Sequence, residues 1–329
     1  MSVRDDVAAA IDAWLAPYEG AVPGASLLVR QGGEDVLRSA GLADLESGTA
    51  ATAHTNYRLA SISKQFTAAA VMLLVEQRRL RLDDPARRWL PELPAWAAPI
   101  SLLDLLTHRS GVPDYEDTVA ADAPQVRDAD IPGLLARCAG PMFAASSAYH
   151  YSNGGYALLA LVVERASGQD FPGFLREHVF QPLGMTATLA RVDGGPAVLH
   201  RAFGYSHLAG GWRRTDQGPT TAVLGDGGIY SSVVDLARWD DAWRDARLLS
   251  DASRRLATTA LAATDEAGTR YGLGWRISGD RIWHSGESLG FRNVLLRIPA
   301  HGVTLVMLSN RDDPEPVAEA MAIARRLVG

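Results

Sequence analysis

Residues 58–67 read Arg58-Leu59-Ala60-Ser61-Ile62-Ser63-Lys64-Gln65-Phe66-Thr67, and Lys64 is the only lysine in a chain of 329 residues. Every other basic side chain is an arginine, which stays protonated in proteins. A lysine ammonium gives up its proton once burial and neighbouring positive charge disfavour it. The stretch opens an apolar run, and the spacing predicts a helix over 61–79. Phe66, Ala69, Ala70, Leu73 and Leu74 leave that helix little polar surface, so it belongs in the interior. Residues i and i+3 share a helical face, which lets Ser61 and Lys64 meet. Ser61 would stand at the helix N-terminus, where free N–H groups favour developing negative charge. A serine hydroxyl becomes a nucleophile when a neighbouring base takes its proton. A four-residue S-x-x-K also arises by chance, so its meaning depends on the rest of the chain.

Working outward, residues 25–30 and 35–42 read as strands joined by the turn 31–34. Residues 8–15 form an amphipathic helix. From residue 83 to about 189 helices alternate with Pro- and Gly-rich loops, most clearly over 102–106, 155–167 and 171–179. Residues 199–219 read as a loop or hairpin and 231–245 as a helix. The runs 272–277, 281–285, 291–298 and 303–309 are short, β-rich and separated by Gly, Pro and Asp turns, an antiparallel meander. A helix over 314–327 closes the chain. Strands at both ends and helices between them predict an α/β (α+β) fold: one antiparallel sheet built from both chain ends, flanked by helices, with an inserted mostly α-helical domain. The expected organisation is one catalytic unit over 1–329, with an α/β lobe of 1–70 plus 265–329 and a mainly helical lobe of 71–264.

The bulk properties exclude several classes. Hydrophobic residues make up 47% and charged residues 21%, with a net charge of −6, the balance of a globular domain. With no basic run, nucleic acid is not an expected partner. No stretch approaches the roughly 18 apolar residues of a membrane span. The start, Met1-Ser2-Val3-Arg4-Asp5-Asp6-Val7, lacks a basic segment followed by an apolar one, so the expected location is cytoplasmic. Cys138 is the single cysteine; it excludes an intrachain disulfide and reads as a small buried side chain. His54, His108, His178, His200 and His207 show no metal-binding spacing. There is no Gly-rich phosphate loop or dinucleotide fingerprint, so neither cofactor nor metal is expected. His108 reads as a structural hydrogen-bonding residue in a loop.

Two further clusters carry chemistry. Tyr149-His150-Tyr151-Ser152-Asn153-Gly154-Gly155 leads into a helix, and its Tyr-x-Asn offers a phenol that can relay protons and an amide that can orient a neighbour. Trp283-His284-Ser285-Gly286-Glu287 ends a β-run, where a strand can lie beside a substrate and donate an N–H. A competing pattern, Gly286-Glu287-Ser288-Leu289-Gly290, fits the G-x-S-x-G nucleophile elbow. That elbow must turn into a helix, whereas Ser288 leads into the strand-like 291–296. No acidic residue lies between Ser288 and His301.

In this order the clusters resemble the serine β-lactamase and penicillin-binding protein superfamily, specifically its class C-like branch of esterases, D-aminopeptidases and D,D-carboxypeptidases. Family-like segments also include Leu105-Leu106-Thr107-His108-Arg109-Ser110-Gly111, Pro182-Leu183-Gly184-Met185 and Gly227-Gly228-Ile229-Tyr230-Ser231-Ser232, so the likeness spans about residues 10–325. The resemblance implies a β-lactamase-like fold and a serine hydrolase acting on small esters or D-amino-acid amides and peptides. It implies that Ser61 becomes the acyl-enzyme, and that Lys64 and Tyr151 share the general-base and relay work. Asn153 would hold Lys64 and contact the substrate amide, and the backbone N–H groups of Ser61 and Glu287 would form the oxyanion hole. His284, with Ser285 and Gly286 behind it, takes the place of the lysine in K-T-G. A histidine is mostly uncharged near neutral pH, which favours an esterase or peptidase over a β-lactamase. The rival readings are a β-lactamase or penicillin-binding D,D-peptidase, and a catalytically silent binding protein of the same fold. Asp226 is a carboxylate in a loop expected to be neutral, either solvated or touching substrate, and Glu287 is a candidate partner for a substrate ammonium.

Overall fold

The computed structural model describes residues 5–329; the part of the N-terminal reading that concerns Met1-Ser2-Val3-Arg4 lies outside the described residues. Eight strands form one antiparallel sheet. Two come from the start of the chain, β1 (Ala25–Gln31) and β2 (Glu34–Ala40). Six come from its end: β3 (Ala262–Ala263), β4 (Arg270–Tyr271), β5 (Arg276–Ser278), β6 (Arg281–Ser288), β7 (Phe291–Ile298) and β8 (Val303–Ser309). The spatial order β3-β4-β5-β6-β7-β8-β1-β2 joins the two chain ends at the β8–β1 pair, with Leu28 opposite Val306. The expected sheet is therefore present.

The longer helices are α1 (Asp5–Leu15), α2 (Ser63–Glu76), α3 (Asn153–Ser167), α4 (Val233–Arg244), α5 (Asp251–Ala257) and α6 (Val317–Val328). Strand side chains alternate between faces, and two cores result. Leu27, Val29, Leu296, Leu305 and Met307 pack with α1 and α6. Leu28, Leu295, Val306 and Leu308 pack with α2, α3 and α4. Helix α2 is buried from Ser63 through Leu74, as its all-round apolar sequence requires.

Several boundaries differ from the sequence expectation. The helix expected over 61–79 starts at Ser63, behind a 3-10 turn over Ala60–Ile62. Ala60 has φ of 50°, a left-handed conformation through which a right-handed helix cannot continue backwards. Helix α3 begins at Asn153 instead of 155, because the Ser152 hydroxyl accepts the N–H of Gly155 and caps it. The helix expected over 171–179 is a short α-helix, Phe171–Leu175, followed by a π-turn, Arg176–Phe180. The strand expected over 35–42 ends at Ala40, and Leu42–Asp44 pairs elsewhere. Of the run 272–277 only Arg276 and Ile277 are strand, in β5, with 272–275 turning back from β4, and the last helix starts at Val317 instead of 314. Cys138 is half-buried, its thiol directed to the Leu134 carbonyl at 3.8 Å. No helix among the described residues is long and apolar enough to cross a membrane.

Helix α4 is fastened to the sheet by charge. Asp240 is fully buried and accepts from Arg297 Nε at 2.6 Å, Thr304 Oγ1 at 2.8 Å, Arg244 Nε at 2.7 Å and Arg30 Nη1 at 3.0 Å. Burial opposes its charge, but Arg297 and Arg244 hold its carboxyl below the ordinary range.

Candidate active site

Helices α2 and α3 are neighbours in the core, and their N-terminal ends supply the first cluster. Ser61 lies in the 3-10 turn ahead of α2, and Lys64 is its second residue. Asn153 is the first residue of α3. Lys64 has no exposed surface. Its Nζ donates to Ser61 Oγ at 2.9 Å, Asn153 Oδ1 at 2.8 Å and the Asp226 carbonyl at 3.0 Å, which uses all three ammonium donors. Two of these partners, an amide oxygen and a backbone carbonyl, can only accept. When Nζ is neutral, its two N–H bonds must therefore stay on Asn153 and Asp226, and its lone pair faces the Ser61 hydroxyl. The arrangement sets an amine against a serine hydroxyl, the pairing through which a serine can be activated.

The second wall is β6. Strand β5 pairs with Arg281–Trp283 and stops at Arg276, so the edge from His284 to Ser288 is not covered by that strand. Gly286 packs directly on the 3-10 turn: a Cβ there would meet the Leu59 carbonyl oxygen at 2.0 Å. Asn293 Nδ2 ties the same region together, donating to the Arg58 carbonyl at 2.9 Å. This close approach sets the backbone of Glu287 beside Ser61, and both residues line one cleft of about 50 Å³ with Asn153, Asp226 and Ser288. The Glu287 side chain is exposed and pairs with Arg292 at 2.9 Å.

His284 points into the interior. It is buried, with Nδ1 2.6 Å from the Ser285 carbonyl and Nε2 2.9 Å from the Tyr271 hydroxyl. A carbonyl can only accept, so Nδ1 carries the proton and Nε2 accepts from Tyr271. Burial, with Arg276 and Lys64 nearby, pushes the imidazole well below its ordinary pKa, so it is neutral. Ser285 is half-buried between His284 and Gly286.

Tyr151 precedes α3, and its ring centre lies 4.8 Å from Lys64 Nζ and 6.2 Å from the His284 ring. No hydrogen bond of its hydroxyl is formed among the described residues. The ring rests on His108, with centroids 4.3 Å apart. His108 is buried with φ of 57°, and its Nδ1 accepts the N–H of Ser152 at 3.1 Å. It thus fixes the start of α3 and the pose of Tyr151 together. Burial and nearby Lys64 keep His108 neutral.

Of the acidic rim, sequence reasoning picks out Asp226 and misses Glu116, Asp114 and Asp128. Asp226 is buried and accepts from the Tyr115 hydroxyl at 2.7 Å. Burial, with Asp128 adding to it against the pull of Lys64, moves its carboxyl up to about 7. Glu116, at the rim of the same cleft, is raised to about 7 by burial and by Asp226 and Asp114. Asp114, raised for the same first reason, accepts the N–H of Asn153. Asp128 receives the N–H groups of Leu224 and Gly225 at 2.8 and 3.0 Å, holding the loop whose Asp226 carbonyl meets Lys64. For Glu116 and Asp114 the run Asp114-Tyr115-Glu116-Asp117 was the signal, and an acidic loop usually means a solvated one. Among the described residues no group of His, Cys, Asp or Glu is arranged to hold a metal.

A family model described as Beta-lactamase matches residues 4–329. The chain is 29% identical over 318 residues to penicillin-binding protein 4* of Bacillus subtilis, an alignment covering 90% of this chain and 70% of that one. It is 32% identical over 292 residues to a D-aminopeptidase of Brucella anthropi, covering 84% of this chain and 53% of the relative. D-amino acid amidase from Ochrobactrum anthropi SV3, solved with L-phenylalanine amide, superposes with a TM-score of 0.84 at 26% identity, over 98% of this chain and 99% of that one.

Proposed function

The chain belongs to the beta-lactamase family, and from that premise we propose that it is a serine hydrolase acting through a Ser61 acyl-enzyme on small amides or esters of D-amino acids. The observation that carries the chemistry is the hydrogen-bond set of Lys64, whose lone pair in the neutral form has only Ser61 to face. Ser61 Oγ adds to the acyl carbon as its proton passes to Lys64, with the Tyr151 hydroxyl as relay. The carbonyl oxygen, now anionic, is held by the N–H groups of Ser61 and Glu287. The proton then moves to the departing amine or alcohol, and water releases the acyl group by the same steps. Asn153 fixes Lys64, and the free edge of β6 aligns the substrate backbone.

The acidic rim supports an acyl group bearing an ammonium. Glu116 and Asp226 are both raised to about 7, so they gain negative charge as pH passes neutrality. His284 is buried and neutral, and it supplies no cation for the carboxylate of a β-lactam. The names of the D-aminopeptidase and D-amino acid amidase relatives point the same way.

A panel of D-amino-acid p-nitroanilides, a p-nitrophenyl ester without an amine and a chromogenic cephalosporin tests this reading. Turnover of the first two, abolished in Ser61→Ala, is expected. For the aminoacyl substrate kcat/KM should rise as pH passes about 7, the range of the Glu116 and Asp226 carboxyls, and fall again above about 8 as the substrate α-ammonium loses its proton. Glu116→Gln should flatten that rise by roughly the tenfold that one charge contact contributes. Identical pH profiles for the amine-bearing and amine-free substrates would remove the rim from substrate recognition. Fast cephalosporin hydrolysis would favour a β-lactamase instead.

A further inference from the structure

A second site lies at the far end of β6. Glu287 and Ser288 line the Ser61 cleft, whereas Ile282 and its partner Arg297 on β7 line a separate cavity of about 210 Å³. The distance along the strand is about 17 Å. Trp243 of α4, Asp251, Arg254 and Arg255 of α5, Thr258 just after it and Pro299 complete the lining.

Arg297 is unusual among these residues. Its side chain is only 5% exposed, and its ion pair runs through Nε to Asp240 at 2.6 Å. No hydrogen bond of its two Nη atoms is formed among the described residues, and neither is a sealed atom without a partner. Both therefore keep some accessible surface, on a residue that lines the cavity. The countercharge behind Arg297 is divided, because Asp240 also serves Arg244 and Arg30. Burial, with Arg244 and Arg254 adding to it, disfavours the Arg297 guanidinium despite Asp240. A buried cation in that position gains from a further anion.

The neighbours strengthen the field. Arg254 is immobilised by Asp251 and by the Trp243 carbonyl at 3.0 Å. Arg255, exposed at the rim, forms no ion pair among the described residues. The lining thus carries three guanidinium groups against the single carboxylate of Asp251, which Arg254 already occupies. Guanidinium groups from a strand and a helix thus line one cavity, an array suited to a tetrahedral oxyanion with several acceptor oxygens. Trp243, Ile282 and Pro299 give the remaining wall an apolar character, which leaves room for a small organic group.

We infer that this cavity binds a phosphoryl oxyanion, as free phosphate or as a small phosphate monoester, through Arg255 and Arg297. Its occupancy is independent of the hydrolytic reading. Calorimetric titration of the full chain with inorganic phosphate, against chloride at matched ionic strength, tests it. A saturable signal is expected for the parent protein, at least tenfold weaker in Arg255→Glu and partly retained in Arg255→Lys, with Ser61-dependent ester turnover unchanged in both. Glycerol phosphate binding more tightly than inorganic phosphate would assign the site to a monoester, and equal binding to the free ion. Titrations no different from chloride, or identical in the parent and Arg255→Glu, would overturn the inference.

Discussion

At the scale of the residue, the chemistry rests on which groups around Lys64 can donate. Asn153 Oδ1 and the Asp226 carbonyl take two of its hydrogens, so the only direction left to a lone pair is Ser61. Arginine at this position keeps the charge but does not release a proton to become a base. Lys64→Arg should therefore lower ester turnover by at least about a thousandfold, the scale of general-base catalysis. Circular dichroism and thermal unfolding should show the fold intact. Turnover within tenfold of the parent would make Lys64 a bystander. This part of the site was legible in the chain, because a sole lysine three residues after a serine needs no tertiary knowledge to be noticed. The roles of His284 and Glu116 were not. His284 is neutral through burial with Arg276 and Lys64 nearby, and the Glu116 carboxyl is raised by burial and by Asp226, 110 positions away in the chain, as well as by neighbouring Asp114. Local sequence contains neither environment.

At the scale of the element, the site depends on how closely β6 approaches the turn ahead of α2. The Leu59 carbonyl occupies the space where a Gly286 side chain would start, at 2.0 Å, so Gly286→Ala must push the strand away. The Glu287 N–H would then leave the position of an oxyanion donor. A loss of roughly a hundredfold or more in kcat, with a smaller change in KM, is expected from removing one such donor. An unchanged kcat would exclude β6 from the oxyanion hole. Similar contact explains why 272–275 turns instead of continuing as a strand: at Gly274, with φ of 77°, a Cβ would stand 2.9 Å from the Lys64 carbonyl. The strands 291–298 and 303–309 were legible in the hydrophobic pattern because both are central and buried on both faces. The start of α2 was not, since the left-handed Ala60 is imposed by packing and not by residue type.

At the scale of the whole molecule, the two chain ends and the central segment are held together by the buried charge at Asp240, which joins α4 to β1, β7 and β8. Asp240→Ala leaves the buried Arg297 without its ion-pair partner, while Arg30 keeps Asp35 and Asp241, and should destabilise the fold by about 3–5 kcal/mol, read from urea unfolding at pH 7. The folded carboxyl is held below its unfolded value of about 3.9. Its stabilisation is therefore fully present above that pH and is lost as pH falls through the lower folded value. The gap between parent and variant should stay constant from neutral pH down to about 4 and close below it. A gap that closed already at pH 6 would assign the effect to another group. We propose that the lobes 1–70 plus 265–329 and 71–264 meet along the Ser61 cleft, since Ser61 and Glu287 come from the first and Asn153 and Asp226 from the second. The sequence by itself determined the sheet-forming ends, the buried helix and the order of the three clusters, because hydrophobic period and residue type are local properties. Only the tertiary structure decided the protonation of the site, the acidic rim and the anion cavity. Each of those depends on desolvation and on charges brought together from segments far apart in the chain.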